Sequence, residues 1–252
     1  MRGLAVRFVA CGCIVASRPP TEPGGRTRYL SSARCPVVRL AVDTGLREAF
    51  PGLDAHLVQI GGLRVQDRDE RLDAFVPVLV REFREHLRLE TLKDEPTLRS
   101  YRDFYWRVGI DPTKIRPASE ALLRRVLQGK ELPRINTLVD AYNLASMKTR
   151  IAIAAFDAAH THGDLRMRLA RAGESFLGIG MEAPVVLKGV EVVCEDDQGL
   201  VAIYPYRDSH RTRVTTATTD TVFMTCGVPG IERATLVEAA ETTREFVERF
   251  CR

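Results

Sequence analysis

The chain has 252 residues, of which 45% are hydrophobic and 28% are charged. These values are ordinary for a globular protein with a hydrophobic core, and the length suits one large domain or two small ones. The net charge of +4 does not argue for a nucleic-acid partner, because residues 1–36 alone hold six arginines against the single acid Glu22 and leave −1 on the remainder.

Residues 1–36 differ in composition from the rest of the chain. They are rich in Pro, Gly, Ser and Arg and poor in periodic apolar residues, which predicts a disordered basic tail or leader. A signal peptide, a lipid-modified Cys11 and a misassigned start are the alternatives. No segment of the chain is long and apolar enough to predict a membrane span. The six cysteines form no CxxC pair, which favours free thiols and a cytoplasmic location.

The first half of the remaining sequence predicts two strands followed by helices. Residues 37–42 and 56–60 have the composition of strands. Apolar residues at helical spacing predict a helix over residues 72–87, with Pro77 disturbing its register, and a second helix after Pro96.

The centre of the chain combines clear helix boundaries with polar residues where a helix normally buries apolar ones. Ser119 is predicted to cap one helix, with Glu120 in its first turn, and Asn136 is predicted to cap the next. In that next helix, Asp140 and Asn143 form a polar strip beside an apolar face. Such a conflict between local rules marks a candidate functional site.

After Gly163 the sequence turns to short strands, and a final helix is predicted from about Thr235. Helices therefore concentrate in the first half and strands in the second. The expected fold class is α/β (α+β), with a mixed, mostly antiparallel sheet or a partly closed barrel and helices packed outside.

Three familiar catalytic motifs are absent from the sequence. There is no GxSxG elbow, no Walker loop and no HExxH pair. His160 and His162 lack the further ligands that a metal site needs, so they are interpreted as loop histidines. The sequence predicts neither a metal nor a cofactor.

Several isolated polar residues are candidates for a site, each with a structural alternative. Glu174 lies between arginines and a glycine-rich turn, so it is either a pocket carboxylate or a salt-bridge partner. Asp208 and Thr212 either line the rim of a pocket or close a turn. Asp140 and Asn143 either contact a substrate or brace neighbouring backbone.

A basic cluster precedes and follows the predicted cap at Ser119. Its members are Lys114, Arg116, Arg124, Arg125, Lys130 and Arg134. Such a cluster suits an RNA backbone, although a solvated helix face explains it equally well. Lys148, which follows the polar strip, could meet a carboxylate or a phosphate.

Four runs of sequence carry a resemblance to a known family. They are GIDPTKIRPASEALLRRVLQGKELPRINTLVDAYNLASMKT (residues 109–149), AAFD (154–157), RLARAGESFLGIG (168–180) and YRDSHRTRVTTATTD (206–220). In this order they resemble the freestanding B3/B4 domain proteins, relatives of the editing region in the beta subunit of phenylalanyl-tRNA synthetase.

The resemblance implies a B3/B4-like editing domain over residues 37–252 that acts as a trans-editing hydrolase on mischarged aminoacyl-tRNA. The misplaced amino acid would be aromatic or a related one. In the family, a pocket glutamate reads the misplaced hydroxyl group and a small residue leaves room for the ring. These positions look like Glu174 and either Ala154 or Ala155. Glu174 and Asn143 would hold the amino acid and carry the reaction.

The implied partner is the aminoacylated 3′ end of tRNA. Lys148, with Arg124 or Arg125, would meet that end, and Lys114 and Arg116 extend the RNA-binding surface. Two alternatives stay open, namely a non-catalytic module that binds an RNA end or an amino-acid derivative, and a hydrolase of small aminoacyl compounds. The chain is too short to hold an aminoacylation core as well.

Overall fold

The computed structural model describes residues 37–252, so the predicted disordered tail at residues 1–36 lies outside the described residues. Within them the helices are α1 (Thr44–Ala49), α2 (Glu70–His86), α3 (Pro96–Arg107), α4 (Ala118–Leu127), α5 (Thr137–Thr149) and α6 (Arg233–Phe250). The strands are β1 (Leu40–Val42), β2 (Asp54–Ile60), β3 (Ala152–Asp157), β4 (Leu165–Leu169), β5 (Ser175–Phe176), β6 (Val185–Val186), β7 (Val192–Asp196), β8 (Gly199–Ile203), β9 (Arg207–Asp208) and β10 (Thr221–Gly227).

A three-stranded antiparallel sheet, in the order β2-β10-β3, lies at the centre of the molecule. Its register sets Phe223 between Val58 and Ala155, and these side chains share one core with α2, α4, α5 and α6. The alternate residues of the same strands, among them Met224 and Ala154, share a second core with the larger sheet. Because the sheet is buried on both faces, β10 is apolar almost throughout and all of its residues are buried.

The larger sheet has the order β1-β4-β7-β8-β9. Strands β1 and β4 run parallel, and the other neighbours run antiparallel, with a bulge between Cys194 and Glu195. Strands β5 and β6 form a separate pair. The expected mixed class with mostly antiparallel sheets is therefore confirmed, and the strands of residues 37–252 form three open sheets without a closed barrel.

One of the two helix caps predicted from the sequence is present in the structure. Asn136 caps α5 as expected, because its Oδ1 accepts a hydrogen bond from the Val139 N–H at 2.9 Å. The cap assigned to Ser119 was wrong, since α4 already begins at Ala118. Ser119 is buried, and its hydroxyl donates to the Arg150 carbonyl at 3.0 Å, so it satisfies the end of α5 instead of the start of α4.

Glu120 lies in the first turn of α4, as predicted, but its main contacts are with two arginines. Its carboxylate is fully buried and accepts hydrogen bonds from Arg102 at 3.1 Å and Arg124 at 2.7 Å. Removing one partner of a buried ion pair leaves an uncompensated charge, so this cluster fixes α4 against α3.

The two earlier helices also match the periodic pattern. Helix α2 continues through Pro77, whose ring lies on the exposed side. Helix α3 begins at Pro96 and buries Leu98, Tyr101 and Tyr105 on one face. None of the helices described here has the length and apolar composition required to cross a bilayer. The cysteines at 194, 226 and 251 are buried free thiols.

Candidate functional site

A cavity of about 160 Å³ lies beside the edge of β3 that does not pair with β10. Helix α5 contributes Asn143 to its lining, β3 contributes Ala154, and the segment around β9 contributes Tyr206, Arg207 and Asp208. The cavity therefore lies where the helical half of the sequence meets the strand-rich half.

A larger groove of about 370 Å³ lies between α2 and the loop after α4. Two of its cationic side chains already have partners in the protein: Arg134 bonds Asp140 at 2.7 Å and also contacts Asp73, and Arg84 donates to the Val126 carbonyl at 3.0 Å. The smaller cavity holds a carboxyl group, that of Asp208, whose pKa burial raises to about 7. The smaller cavity is consequently the stronger candidate for chemistry.

Along β3, the backbone N–H and C=O groups of successive residues point alternately towards β10 and towards the edge beside the cavity. The Ala155 N–H donates to Asp208 Oδ2 at 3.2 Å, and the Asp157 N–H donates to the Thr212 carbonyl at 2.9 Å. Since this direction recurs at every second residue, the N–H and C=O of Ile153 face the same side. No strand pairs with this edge at Ile153 in the described part of the chain, and Ile153 lines the cavity.

The Asp208 carboxyl group is the main titratable group of the cavity. Burial raises its pKa to about 7, while the hydrogen bond from Ala155 and the charge of Arg207 act in the opposite direction. Burial, followed by the charge of Asp208, raises the pKa values of Tyr142, Cys194 and Cys226, which face it from the neighbouring elements. Asp208 can therefore accept or release a proton near neutral pH.

Arg207 and Tyr206 form a stacked pair in the cavity wall. The guanidinium carbon lies 4.9 Å from the centre of the Tyr206 ring, and the guanidinium group also donates to the Ile179 carbonyl at 2.7 Å. A Cβ on Gly178 would lie 2.4 Å from Arg207 Cδ, so the absence of a side chain lets the arginine pack closely there. The sequence analysis assigned no role to either residue of the pair, although the glycine-rich turn noted beside Glu174 is the one against which Arg207 packs.

Glu174, the predicted catalytic carboxylate, does not line this cavity. It bonds Arg168 at 2.6 Å and 2.9 Å and accepts the Arg171 N–H at 2.7 Å. Arg168 also bonds Glu195 at 2.6 Å. The bonds from Arg168 lower the pKa of Glu174. This is the salt bridge that the sequence left open as the alternative.

The remaining predicted substrate residues do not line the cavity. Asp140 bonds Arg134 and accepts the Ile135 N–H at 3.0 Å, so it braces the start of α5. The Lys148 ammonium group lies 5.3 Å from the centre of the Phe246 ring. Thr212 is fully buried, and Ala155 contacts the site through its N–H bond to Asp208.

The predicted RNA-binding residues divide into two groups. Arg124 is bonded to Glu120, and Arg125 donates to the Glu131 carbonyl. Lys114 and Arg116 are exposed, with Lys114 at 3.9 Å from the Asp111 carboxylate. Ala118, two residues after Arg116, lines the cavity. The exposed basic pair is thus close in sequence to the cavity wall.

The histidines between β3 and β4 make no metal site. His160 lies 3.5 Å from the Asp157 carboxylate, and the carboxyl oxygens of Asp157 already bond the Ala159 N–H and the Thr218 hydroxyl. Across residues 37–252, no three His, Cys, Asp or Glu side chains are grouped in a way that could hold a metal ion.

Comparison with known proteins gives a family and a structural neighbour. No curated protein matches the chain. One structural neighbour is an N-terminal fragment of the phenylalanyl-tRNA synthetase beta subunit from Pyrococcus horikoshii, at 15% identity and a TM-score of 0.46. The match covers 84% of this chain and 49% of that fragment, so the chain spans about half of the fragment's length. A sequence model of the B3/4 domain matches residues 100–252, which is more than half of the chain, and the chain therefore belongs to the B3/4 domain family.

Proposed function

We propose that this protein is a trans-editing hydrolase that cleaves the ester between a misplaced amino acid and the 3′-terminal ribose of tRNA. One observation carries the proposal: Asn143, Ala154 and Asp208 converge on a single cavity from distant parts of the sequence. Membership of the B3/4 domain family supports it. The volume also suits the predicted aromatic side chain, because an engineered cavity of about 150 Å³ accommodates benzene.

The proposed reaction requires a positioned water, a proton acceptor and a donor for the developing oxyanion. The water oxygen bonds to the acyl carbon while Asp208 accepts the water proton. The ester C–O bond then breaks, and the proton passes to the leaving ribose oxygen. The Ile153 N–H faces the cavity and donates to the carbonyl oxygen as it gains charge. An aminoacyl ester is already activated, so no serine or cysteine nucleophile is required.

The other residues position the substrate in this proposal. Asn143 orients the amino acid, and Ala154 leaves room for its side chain. Lys114 and Arg116 are exposed near the lining residue Ala118, so they can meet the phosphates of the tRNA end. Residues 37–252 then form the editing domain.

The proposal moves the catalytic carboxylate from Glu174 to Asp208, and one pair of variants decides between the two residues. Asp208→Asn and Glu174→Gln each remove a charge while keeping the shape of the side chain. If Asp208 is the base, Asp208→Asn lowers the rate of deacylation about 100-fold or more, the effect typical of losing a general base. Glu174→Gln then leaves the rate within about threefold, provided that its melting curve shows a folded protein.

The assay follows the loss of labelled amino acid from a panel of mischarged tRNAs, including tyrosine on phenylalanine tRNA. The wild-type rate is expected to rise with pH through about 7, where Asp208 loses its proton. Full activity of Asp208→Asn with loss of activity in Glu174→Gln would restore the sequence-based assignment. Saturable binding without turnover across the panel would instead identify a binding module.

The dependence on salt separates an RNA substrate from a small aminoacyl compound. Phosphate contacts make affinity fall steeply as the salt concentration rises, whereas binding of a small ligand in a cavity changes little. The double variant Lys114→Gln/Arg116→Gln should reduce the salt dependence of tRNA binding. It should leave hydrolysis of a short aminoacyl-adenosine ester unchanged.

A further inference from the structure

Along the open edge of β3, backbone groups on both sides of Ile153 already have hydrogen-bond partners. Towards the N-terminus, the Ile151 carbonyl accepts the Ser146 hydroxyl at 2.6 Å and the Ile151 N–H faces Thr149 Oγ1 at 3.4 Å. Towards the C-terminus, the Ala155 N–H is bonded to Asp208. The alternating backbone direction thus leaves a window of one residue at Ile153.

A single amino acid in an extended conformation is complementary to this window. Its nitrogen and its carbonyl oxygen point to the same side, and two antiparallel residues can exchange both N–H···O bonds. Addition of a strand to an open sheet edge is a known way of binding extended chains. Here the side chains and backbone groups on either side of Ile153 restrict the addition to one residue.

We propose that Ile153 binds the main chain of the aminoacyl group as a single added strand residue. The α-ammonium group donates to the Ile153 carbonyl, and the acyl carbonyl oxygen accepts the Ile153 N–H. This inference rests on the proposed function and refines it by naming the substrate class. The substrates are carboxyl-activated single α-amino acids, and peptidyl esters are excluded because the next positions of the edge are occupied.

This arrangement explains why the cavity wall has few charged side chains with which to bind a substrate. The backbone reads the part that all amino acids share, and the cavity of about 160 Å³ then selects the side chain by size. The Asp208 carboxylate accepts a hydrogen bond from the same edge at Ala155, so its negative charge also favours a ligand with an ammonium group over a neutral one.

Calorimetry with non-hydrolysable ligands tests the inference separately from catalysis. The ligands are adenosine derivatives that carry, through a 3′-amide, either phenylalanine, its des-amino counterpart 3-phenylpropionate, or a glycyl-phenylalanine dipeptide. The des-amino ligand should bind about 10-fold to 100-fold more weakly, the range for losing a hydrogen bond to a charged group. The dipeptidyl ligand should show no measurable heat. Equal affinities for all three ligands, or no binding of any, would overturn the inference.

A backbone variant gives an independent check. Ile153→Pro removes the N–H that faces the cavity and shortens the side chain, a change that an edge strand tolerates, and Ile153→Val is the matched control that also shortens the side chain but keeps the N–H. The proline variant should bind the phenylalanyl ligand about 10-fold more weakly than the valine variant. Equal binding by both variants would contradict the model of an added strand residue. If the proline variant does not fold, the ligand series on the wild-type protein still decides.

The two proposals fail in different ways. If the phenylalanyl ligand is preferred but no mischarged tRNA is deacylated, the window exists and the hydrolase assignment is wrong. If deacylation occurs but des-amino esters are cleaved as fast as aminoacyl esters, the hydrolase assignment stands and the Ile153 proposal is wrong.

Discussion

At the scale of single residues, burial shifts the pKa values of two side chains of this protein in opposite directions. It raises the pKa of Asp208 to about 7, next to an open cavity. Burial also lowers the pKa of His56, a residue of β2, to about 4, and the charge of Arg233 makes a smaller contribution in the same direction. A half-buried group at a cavity can exchange protons with a ligand, whereas a buried group that no ligand can reach affects only the stability of the fold.

His56 should make the stability of the protein depend on pH in mildly acidic solution. Its Nδ1 is buried without a hydrogen-bond partner among residues 37–252, so protonation in the folded state is unfavourable. Well above pH 6.5 the histidine is neutral in both the folded and the unfolded state, so its titration does not change the stability there. As the pH falls from 6.5 towards 4, the unfolded chain binds the proton first and stability is lost.

Urea unfolding at a series of pH values measures this effect against the variant His56→Gln. The wild-type protein should lose on the order of 2–3 kcal/mol more than the variant between pH 6.5 and 4. Parallel curves for the two proteins would show that His56 is protonated as readily in the folded protein as in the unfolded chain.

At the scale of elements, a tyrosine of α3 joins the ends of two strands. The Tyr101 hydroxyl donates to the Cys226 carbonyl of β10 and accepts the Ala152 N–H of β3 at 3.0 Å. The residue is completely buried. One hydroxyl therefore completes the backbone bonding at the end of the β10–β3 ladder, beside the strand that carries the candidate site.

Tyr101→Phe should destabilise the protein by about 1–3 kcal/mol, because it leaves a buried carbonyl and a buried N–H without their partner. Tyr206→Phe is the matched control, since that tyrosine is only partly buried and its loss should cost less than about 0.5 kcal/mol. Denaturant midpoints measure both changes. Equal midpoints for the two variants would mean that water or a shifted backbone replaces the Tyr101 hydroxyl.

The elements also show how far the sequence could be interpreted alone. Helices α2, α3 and α5 could be predicted because their apolar spacing and the Asn136 cap are local signals. The cap assigned to Ser119 failed because α4 begins one residue earlier, at Ala118, so that Ser119 lies inside the helix, where its hydroxyl donates to the distant Arg150 carbonyl. The same limit applies to the site. Asp208 and Asn143 were recognisable as unusual polar residues, but the open edge at Ile153 depends on which strands pair, and no local pattern encodes that.

At the scale of the whole molecule, the cavity exists because two sheets approach each other without joining. Strand β3 ends one sheet and β9 ends the other, and only side-chain and single backbone bonds cross between them near Asp208. At the end of β10, next to the lining residue Cys226, β2, β10 and α6 meet at Gly227 with no space for a side chain. Rigid packing there holds the open edge in place.

Gly227 supplies a test of that packing. A Cβ at this position would lie 2.6 Å from Leu236 Cδ1 and 2.8 Å from the Asp54 carbonyl oxygen, and the backbone oxygen cannot move aside cheaply. The Gly227 carbonyl also accepts the Tyr204 hydroxyl at 2.7 Å, so a shift of β10 would disturb the wall of the cavity. Gly227→Ala should therefore cost about 1–3 kcal/mol, the range for overpacking a core.

Gly45→Ala is the matched control, because Gly45 lies inside α1 with nothing within 4 Å of its added Cβ. There the same change should stabilise the protein by up to about 1 kcal/mol, since alanine favours the helix. Thermal and denaturant unfolding of the two variants would separate the outcomes. If Gly227→Ala proved as stable as Gly45→Ala, the junction of β2, β10 and α6 would have to be compliant, and the fixed geometry that the Ile153 window requires would lose its physical basis.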